Sequence, residues 1–522
     1  MQYYPIGKQE FSVIRRNDFV YVDKTEWAYK FAVRTSQYFL SRPRRFGKSL
    51  LISTLRELFS GDRALFKGLW IEPHLAEIEQ RPVLHISFNE IGHKTMGLEN
   101  ALRKAMQDIA AANGIALSET GGYDVHFKEI IHRLAEKKPI ALLIDEYDKP
   151  IIDYLTDFRQ ADANREILKS FYSVLKGSEE HIHLLFITGV SKFSKVSIFS
   201  DLNHLEDISM EDSFSTLLGF TQEEVDSYFG ERINEIAARE GMSLEAVQEK
   251  IKLNYNGYSW DGEHYVYNPF SLLSFLKSGS FNNYWFETGT PTFLVEHVQR
   301  QQLPSTIEGT VVQKGTFNKF NLADLDVIAV MFQTGYLTVK KAEGSGMDAW
   351  LTLGYPNAEV RFSFEHNLLS AFAGQTPSAV NNQLYYLKKS LENLDPDAFV
   401  KHLKAFFASV PFDTSPPPGR QTFDLWEGFF HALAYLLLRV MGLDVQAEVA
   451  SAKGRSDAVV TLPGCIWVME FKLGTAQSAL NQIKKQGYAE PYLTAGKPVM
   501  LLGLGFDADL RNVKTAKWQR AV

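Results

Sequence analysis

Ser41-Arg42-Pro43-Arg44-Arg45-Phe46-Gly47-Lys48-Ser49 lies between a short aliphatic run, Tyr38-Phe39-Leu40, and a stretch in which Leu51, Leu55, Leu58 and Phe59 recur at helical spacing. A strand, a loop ending in Gly-Lys-Ser and a helix start form the context in which a P-loop holds phosphates. Backbone amides of the loop and of the helix N-terminus point at phosphate oxygens, and the positive end of the helix dipole supports them. Arg44, Arg45, Phe46 and Gly47 would supply that loop. Lys48 would reach the β and γ phosphates, and the Ser49 hydroxyl would ligate Mg2+. Arg42 stands where the pattern has its first glycine, so the turn after the strand must form without glycine's freedom. A basic loop capped by a helix start is the plainer reading of the same residues.

A second element supports the first. Pro139-Ile140-Ala141-Leu142-Leu143-Ile144-Asp145-Glu146 is a hydrophobic strand ending in two acids. At its end Asp145 would hold Mg2+ through water, and Glu146 would orient or deprotonate the attacking water of an ATP hydrolysis. A solvated acidic turn is the alternative, since Tyr147-Asp148-Lys149 continues polar. Two such motifs in the right order, each at a strand end, favour the nucleotide-binding reading. Leu184-Leu185-Phe186-Ile187-Thr188 is a further strand. Thr188 is either a sensor of the γ-phosphate or a hydroxyl that merely ends the strand.

Composition bounds the rest. The chain has 522 residues, 55 Lys+Arg against 62 Asp+Glu, and a net charge of −7, which argues against coating nucleic acid through overall charge. At 45% hydrophobic and 22% charged residues it has the make-up of a globular protein with a sizeable core. One cysteine, Cys465, excludes intrachain disulfides and cysteine metal clusters. The N-terminus lacks an apolar signal core, and no apolar run approaches the ~20 residues that span a bilayer, so a soluble cytoplasmic protein without membrane contact is expected.

Up to about residue 210, aliphatic runs alternate with amphipathic stretches, Val83–Ser87 among the strands, which predicts a parallel sheet covered by helices on both faces. In the aromatic-rich zone 211–375, Leu322 to Phe332 reads as a helix. Two strand-like runs follow, Tyr336 to Lys340 and Trp350 to Leu353, around Glu343-Gly344-Ser345-Gly346, a pattern compatible with a small winged-helix-like module. Pro416-Pro417-Pro418-Gly419 is the clearest punctuation in the chain. Beyond it come a helix from Thr422 to Met441, strands Val445 to Val449, Ala458 to Leu462 and Ile466 to Phe471, a helix Leu480 to Tyr492 and a strand Val499 to Leu504. The expected domains are therefore 1–210, a lid and middle region 211–375, a helical linker 376–414 and an α/β domain 415–522.

In that last domain Asp457 precedes one strand segment, and Glu470-Phe471-Lys472 closes another thirteen residues later. Residues i and i+2 of a strand share a face, so Glu470 and Lys472 point the same way and a hairpin can bring Asp457 beside them. This is the core of the PD-(D/E)xK nuclease pattern. Asp457 and Glu470 suit hard Mg2+ or Mn2+ with retained waters, and the metal would polarise a phosphodiester and acidify a bound water. Lys472 would position that water or offset developing charge. Glu427, on the upstream helix, is a further candidate metal ligand, Gln482 lies on the downstream one, and Glu448 is an extra acid or a solvated strand residue. A surface hairpin carrying a Glu-x-Lys charge pair is the competing account. His431 reads as a core or surface histidine. Arg511, Lys514, Lys517 and Arg520, if helical, form a basic ridge that contacts phosphates or simply faces solvent, with Trp518 packing it on the domain.

Phe19-Val20-Tyr21-Val22-Asp23-Lys24-Thr25, Arg42 to Leu50, Asp145-Glu146-Tyr147-Asp148-Lys149-Pro150 and Thr188-Gly189-Val190-Ser191-Lys192-Phe193-Ser194 together resemble the bacterial AAA-ATPase-like family over roughly residues 3–290. In that family Arg-Pro in place of the first glycine is the usual form, so Arg42 becomes a match. Residues about 415–515 resemble the PD-(D/E)xK superfamily domain, related to restriction endonucleases, that is often fused behind this ATPase. The resemblance implies ATP and Mg2+ as cofactors, Lys48, Ser49, Asp145 and Glu146 in the roles above, and DNA rather than RNA as the partner. A homo-oligomer and a role in defence or mobile-element handling would fit. The rival reading is a nucleotide-switched signalling or scaffold protein whose last domain binds nucleic acid without cutting it.

Overall fold

The aliphatic runs around the Gly-Lys-Ser loop become parallel strands. β1 (Ser36–Ser41), β2 (Val83–Ser87), β3 (Ile140–Asp145), β4 (Ile182–Gly189) and the short β5 (Glu206–Asp207) form one sheet in the order β2-β3-β4-β1-β5. Its ladders are parallel throughout. β3 is buried along its whole length, as a central strand covered on both faces must be. Helix α1 (Lys48–Ser60) follows β1 and buries Leu51, Ile52, Leu55, Leu58 and Phe59. Connections leave the adjacent β1 and β4 in opposite directions, so the crevice beyond their carboxyl ends is a topological switch point, where open α/β sheets bind ligands. The computed structural model describes residues 3–192, 198–199, 202, 204–285, 294–295, 307–318, 326–410, 423–451 and 454–521. The chain divides into two units, residues 1–294 with 308–360 and residues 295–307 with 361–522.

The first unit also holds a small antiparallel sheet. β6 (Thr310–Gln313) precedes helix α2 (Val327–Thr334), which leads into the hairpin β7 (Thr338–Glu343) and β8 (Trp350–Gly354), giving the order β6-β8-β7. The expected helix and Gly-tipped hairpin are present, although residues 322–325 of that expected helix lie outside the described residues. β6 is an addition: four residues of alternating exposure carry too short a pattern to read from sequence.

The second unit contains helices α3 (Pro377–Glu392), α4 (Pro396–Ala408) and α5 (Phe423–Val440), then strands β9 (Asp444–Ser451), β10 (Gly454–Thr461) and β11 (Ile466–Leu473). Helix α6 (Ala476–Gln486), β12 (Val499–Asp507) and β13 (Asn512–Arg520) complete it, with sheet order β13-β12-β11-β10-β9. Alternation along β11 sorts its side chains. Trp467, Met469 and Phe471 pack with Phe430 and Leu437 of α5, Leu387 and Leu391 of α3, and Phe399 and Phe407 of α4. Ile466 and Val468 pack with Leu480 and Ile483 of α6. By the same alternation Glu470 and Lys472 belong to the α6 side.

Four expectations meet the observed packing and pairing. Within the expected linker 376–414, helices α3 and α4 supply part of the core of the second unit, and the Trp467 indole donates to the Leu391 carbonyl at 3.2 Å; residues 411–414 lie outside the described residues. The division falls at residue 360, since packing of apolar faces sets a boundary and a proline run does not; Pro416–Gly419 itself lies outside the described residues. The basic C-terminal ridge does not form, because Lys514, Lys517 and Arg520 sit on a strand, where residues three apart point to opposite faces. β13 is an edge strand, and charged side chains are what keep such an edge from pairing with another chain. The helix expected at Leu480–Tyr492 starts earlier, capped by Thr475, and stops at Gly487.

Candidate functional site

In the first unit, the loop after β1 is built on a buried cation. The Arg42 guanidinium donates to the carbonyls of Ser41 (3.0 Å), Ser209 and Phe214 (3.1 Å) and lies 3.8 Å from the Trp260 ring centroid. Burial pushes it down to about 9, with Asp207 and Asp261 countering, so it stays charged at neutral pH and pins the first turn that a glycine would otherwise make. Arg45, at φ +67, and Glu146, at φ +53, hold left-handed conformations that side chains rarely adopt, and such strain gathers at functional sites. Gly47, at φ +97, starts α1 without a side-chain cap, so the first amides of the helix have no intrahelical partner. The Arg45 guanidinium stacks 3.8 Å over Phe270, and Arg44 is exposed. Phe46 is buried edge-on against Tyr258 and Trp260. The Lys48 ammonium donates to the carbonyls of Arg42 (2.8 Å) and Pro43 (2.9 Å), and burial pulls its pKa down against the nearby Asp145, Glu146 and Asp148.

The register that pairs Ser41 with Gly189 and Ile144 with Ile187 brings the ends of β1, β4 and β3 together. Asp145 Oδ1 accepts from the Thr188 hydroxyl and from the Glu146 amide (3.0 Å). Burial, then the charge of Asp145, raises the pKa of Glu146. In the sequence Asp148 has no role beyond its place in a polar turn and in the family motif. It is buried and accepts from the Ser191 amide (2.7 Å), the Ser191 hydroxyl (2.6 Å) and the Val190 amide (3.1 Å), tying the turn that carries Glu146 to the end of β4. Within a polar run no single-sequence signal separates a buried acid from a solvated one. Arg44 to Ser49, Glu146, Asp148 and Lys149 line a cavity of about 990 Å3 whose remaining wall includes Pro5, Ile6, Phe220, Phe229, Phe270 and Leu273.

In the second unit the β10–β11 ladder pairs Ala458 with Met469, so Asp457 and Glu470 stand opposite each other one position further along. The Phe471 amide donates to Asp457 Oδ2 at 2.6 Å, and the Asp457 amide donates to Glu470 Oε2 at 3.4 Å. Lys472 Nζ lies 3.8 Å from Glu470 Oε1. Glu470 is fully buried, and Lys472 keeps about a third of its side-chain exposure, 33%. His431 of α5 adds an unexpected contact: its Nε2 lies 3.0 Å from the Phe471 carbonyl and 3.7 Å from Asp457 Oδ2. Its position four residues after Glu427, and so on the same helix face, was the available signal. The side chains of Glu427 and Glu448 lie outside the described residues. Gln482 donates to the Tyr488 hydroxyl at 3.5 Å. Among the described residues no three His, Cys, Asp or Glu side chains converge as a metal centre. Two facing carboxylates with a neighbouring ammonium fit Mg2+, which commonly takes one or two protein carboxylates and keeps several waters.

The comparisons with known proteins divide the chain similarly. A family model described as "Predicted AAA-ATPase" matches residues 5–199, and one described as "PD-(D/E)XK nuclease superfamily" matches residues 425–516. An uncharacterized protein in the vnfD 5' region of Azotobacter chroococcum mcd 1 is 39% identical over 519 residues, spanning 98% of this chain and 97% of that one. The likeness therefore runs through the middle region as well.

Proposed function

We infer that this chain, which belongs to the AAA-ATPase-like family and carries a domain of the PD-(D/E)XK nuclease superfamily behind its ATPase core, binds and hydrolyses ATP and cuts DNA in a Mg2+-dependent reaction. In the first unit, Arg44 to Ser49 bind the phosphates, with Lys48 released from its loop carbonyls onto the β and γ phosphates, and the apolar wall takes the base and ribose. Ser49 and Asp145 would hold the nucleotide's Mg2+, Asp145 being oriented by Thr188. Glu146 accepts the proton of the attacking water, a task suited to a carboxylate whose pKa is raised by burial.

In the second unit Asp457 and Glu470, with Glu427 as a further ligand, would hold Mg2+ or Mn2+. Bound there, the ion supplies Lewis-acid polarisation of the phosphodiester and a more acidic water. Lys472 stabilises charge developing on the scissile phosphate. DNA is preferred to RNA by analogy with the superfamily, and a place in defence or mobile-element handling suits the pairing. No described helix is long and apolar enough to cross a membrane, and we place the protein in the cytoplasm.

The observation that supports the nuclease reading best is the opposition of Asp457 and Glu470 across the ladder with Lys472 on the same face. The test incubates duplex DNA, single-stranded DNA and RNA of one sequence with the full chain and Mg2+. Wild type should cut DNA and Glu470→Gln should not; cleavage that survives chelation or the substitution would contradict the assignment.

A further inference from the structure

Hydrolysis of ATP gathers negative charge on the γ-phosphoryl oxygens, and a cation beyond the P-loop lysine commonly stabilises it. We propose that Lys149 supplies that cation from within the same chain, with Asp153 as the residue that positions it. The inference rests on the ATPase reading above.

The short helix Lys149–Ile152 begins three residues after Glu146, so its first side chain is carried by the same turn as the candidate base. Lys149 lines the same cavity as Lys48, Ser49 and Glu146. Asp153, one turn further on, also lines the cavity and accepts Lys149 Nζ at 3.3 Å through Oδ1. Its Oδ2 lies 3.1 Å from Lys94 Nζ and 3.2 Å from His93 Nε2. Although burial pushes Asp153 up, His93 and Lys94 outweigh it and hold its carboxyl well below the usual carboxylate range. One carboxylate thus anchors two ammonium groups on the cavity wall. Lys149 is the inner of the two, 22% exposed against 60% for Lys94, and a poorly hydrated ammonium acts more strongly on a developing charge.

In the step assigned to this site, the water oxygen bonds to the γ-phosphorus while the bond from phosphorus to the β–γ bridging oxygen breaks. ADP leaves with that electron pair, and Glu146 accepts the proton of the water. Lys149 transfers nothing; its ammonium holds the charge on the γ-phosphoryl oxygens.

The experiment measures phosphate release at saturating ATP and, separately, binding of a fluorescent ATP analogue by the full chain. Lys149→Met should lower turnover ~10²–10³-fold while changing nucleotide affinity by less than about threefold, and Lys149→Arg should recover part of the loss. Asp153→Asn should lower turnover about tenfold, as removal of a supporting partner does, and it decides the matter if Lys149→Met fails to fold. Turnover of Lys149→Met within about threefold of wild type, or a loss matched by an equal loss of affinity, overturns the proposal. If wild type binds ATP and releases no phosphate, the ATPase reading itself falls, an outcome distinct from an active wild type with an indifferent Lys149.

Discussion

Gly503→Ala should unseat helix α6 from the sheet that carries the candidate nuclease site. Gly503 pairs with Glu470 and Gly505 with Lys472, so the strip of β12 beside both functional residues is bare of side chains. A Cβ on Gly503 would lie 2.5 Å from the Ala476 carbonyl oxygen and 2.6 Å from the Leu480 nitrogen. Carbon–oxygen contacts of this kind settle near ~3.3–3.6 Å, so one partner must move by close to 1 Å. Both obstacles are backbone atoms of α6, and no flexible side chain can yield in their place. Overpacking costs about 1–3 kcal/mol, and the upper part of that range applies here. For a unit of this size that lowers its melting temperature by about 4–12 °C. Calorimetry of the full chain reads it, because ATP raises the transition of the unit that binds it and leaves the other in place. Gly464→Ala is the control: a Cβ there meets nothing within 4 Å, and its cost should stay within about 0.5 kcal/mol. A Gly503→Ala transition within about 1 °C of wild type, or an equal fall for Gly464→Ala, would refute the reasoning.

Three other outcomes follow from the site geometry. Asp457→Asn keeps an acceptor for the Phe471 amide, so stability should change by less than about 1 kcal/mol while Mg2+-dependent DNA cleavage falls at least ~10²-fold, read by melting and by gel. Thr188→Val removes the hydroxyl that donates to Asp145 and should slow ATP turnover ~10–100-fold; unchanged turnover would show that the bond is idle. Glu146 works as a base only when ionised, and burial and Asp145 raise its pKa, so turnover should be lost as pH falls through a value above the ordinary glutamate range. A pH profile flat down to that ordinary range would contradict the assignment.

The elements with strong periodicity were legible from the chain. β3, an uninterrupted aliphatic run, and α1, with its apolar residues at helical spacing, fall close to where the sequence puts them. So do the facing carboxylates, because the parity of a strand decides which side chains share a face. What escaped was set by partners distant in sequence. β13 shows charged residues every third position, which mimics a helix face, and its strand state comes from pairing with β12. α3 and α4 look like a connector until Leu391 is seen against Trp467. Asp148 and His431 owe their interest to Ser191 and Phe471, 43 and 40 residues away. Arg42 is similar: the carbonyls that replace a glycine's freedom come mostly from residues 209 and 214.

The most direct test of the two-carboxylate metal site is a titration of Mn2+ into the nucleotide-free chain, followed through the loss of the free ion's paramagnetic signal. Wild type and Lys48→Met should take up the ion saturably and alike, while Asp457→Asn and Glu470→Gln lose that binding. Equal uptake by all four proteins, or none by wild type, would contradict a metal held between β10 and β11.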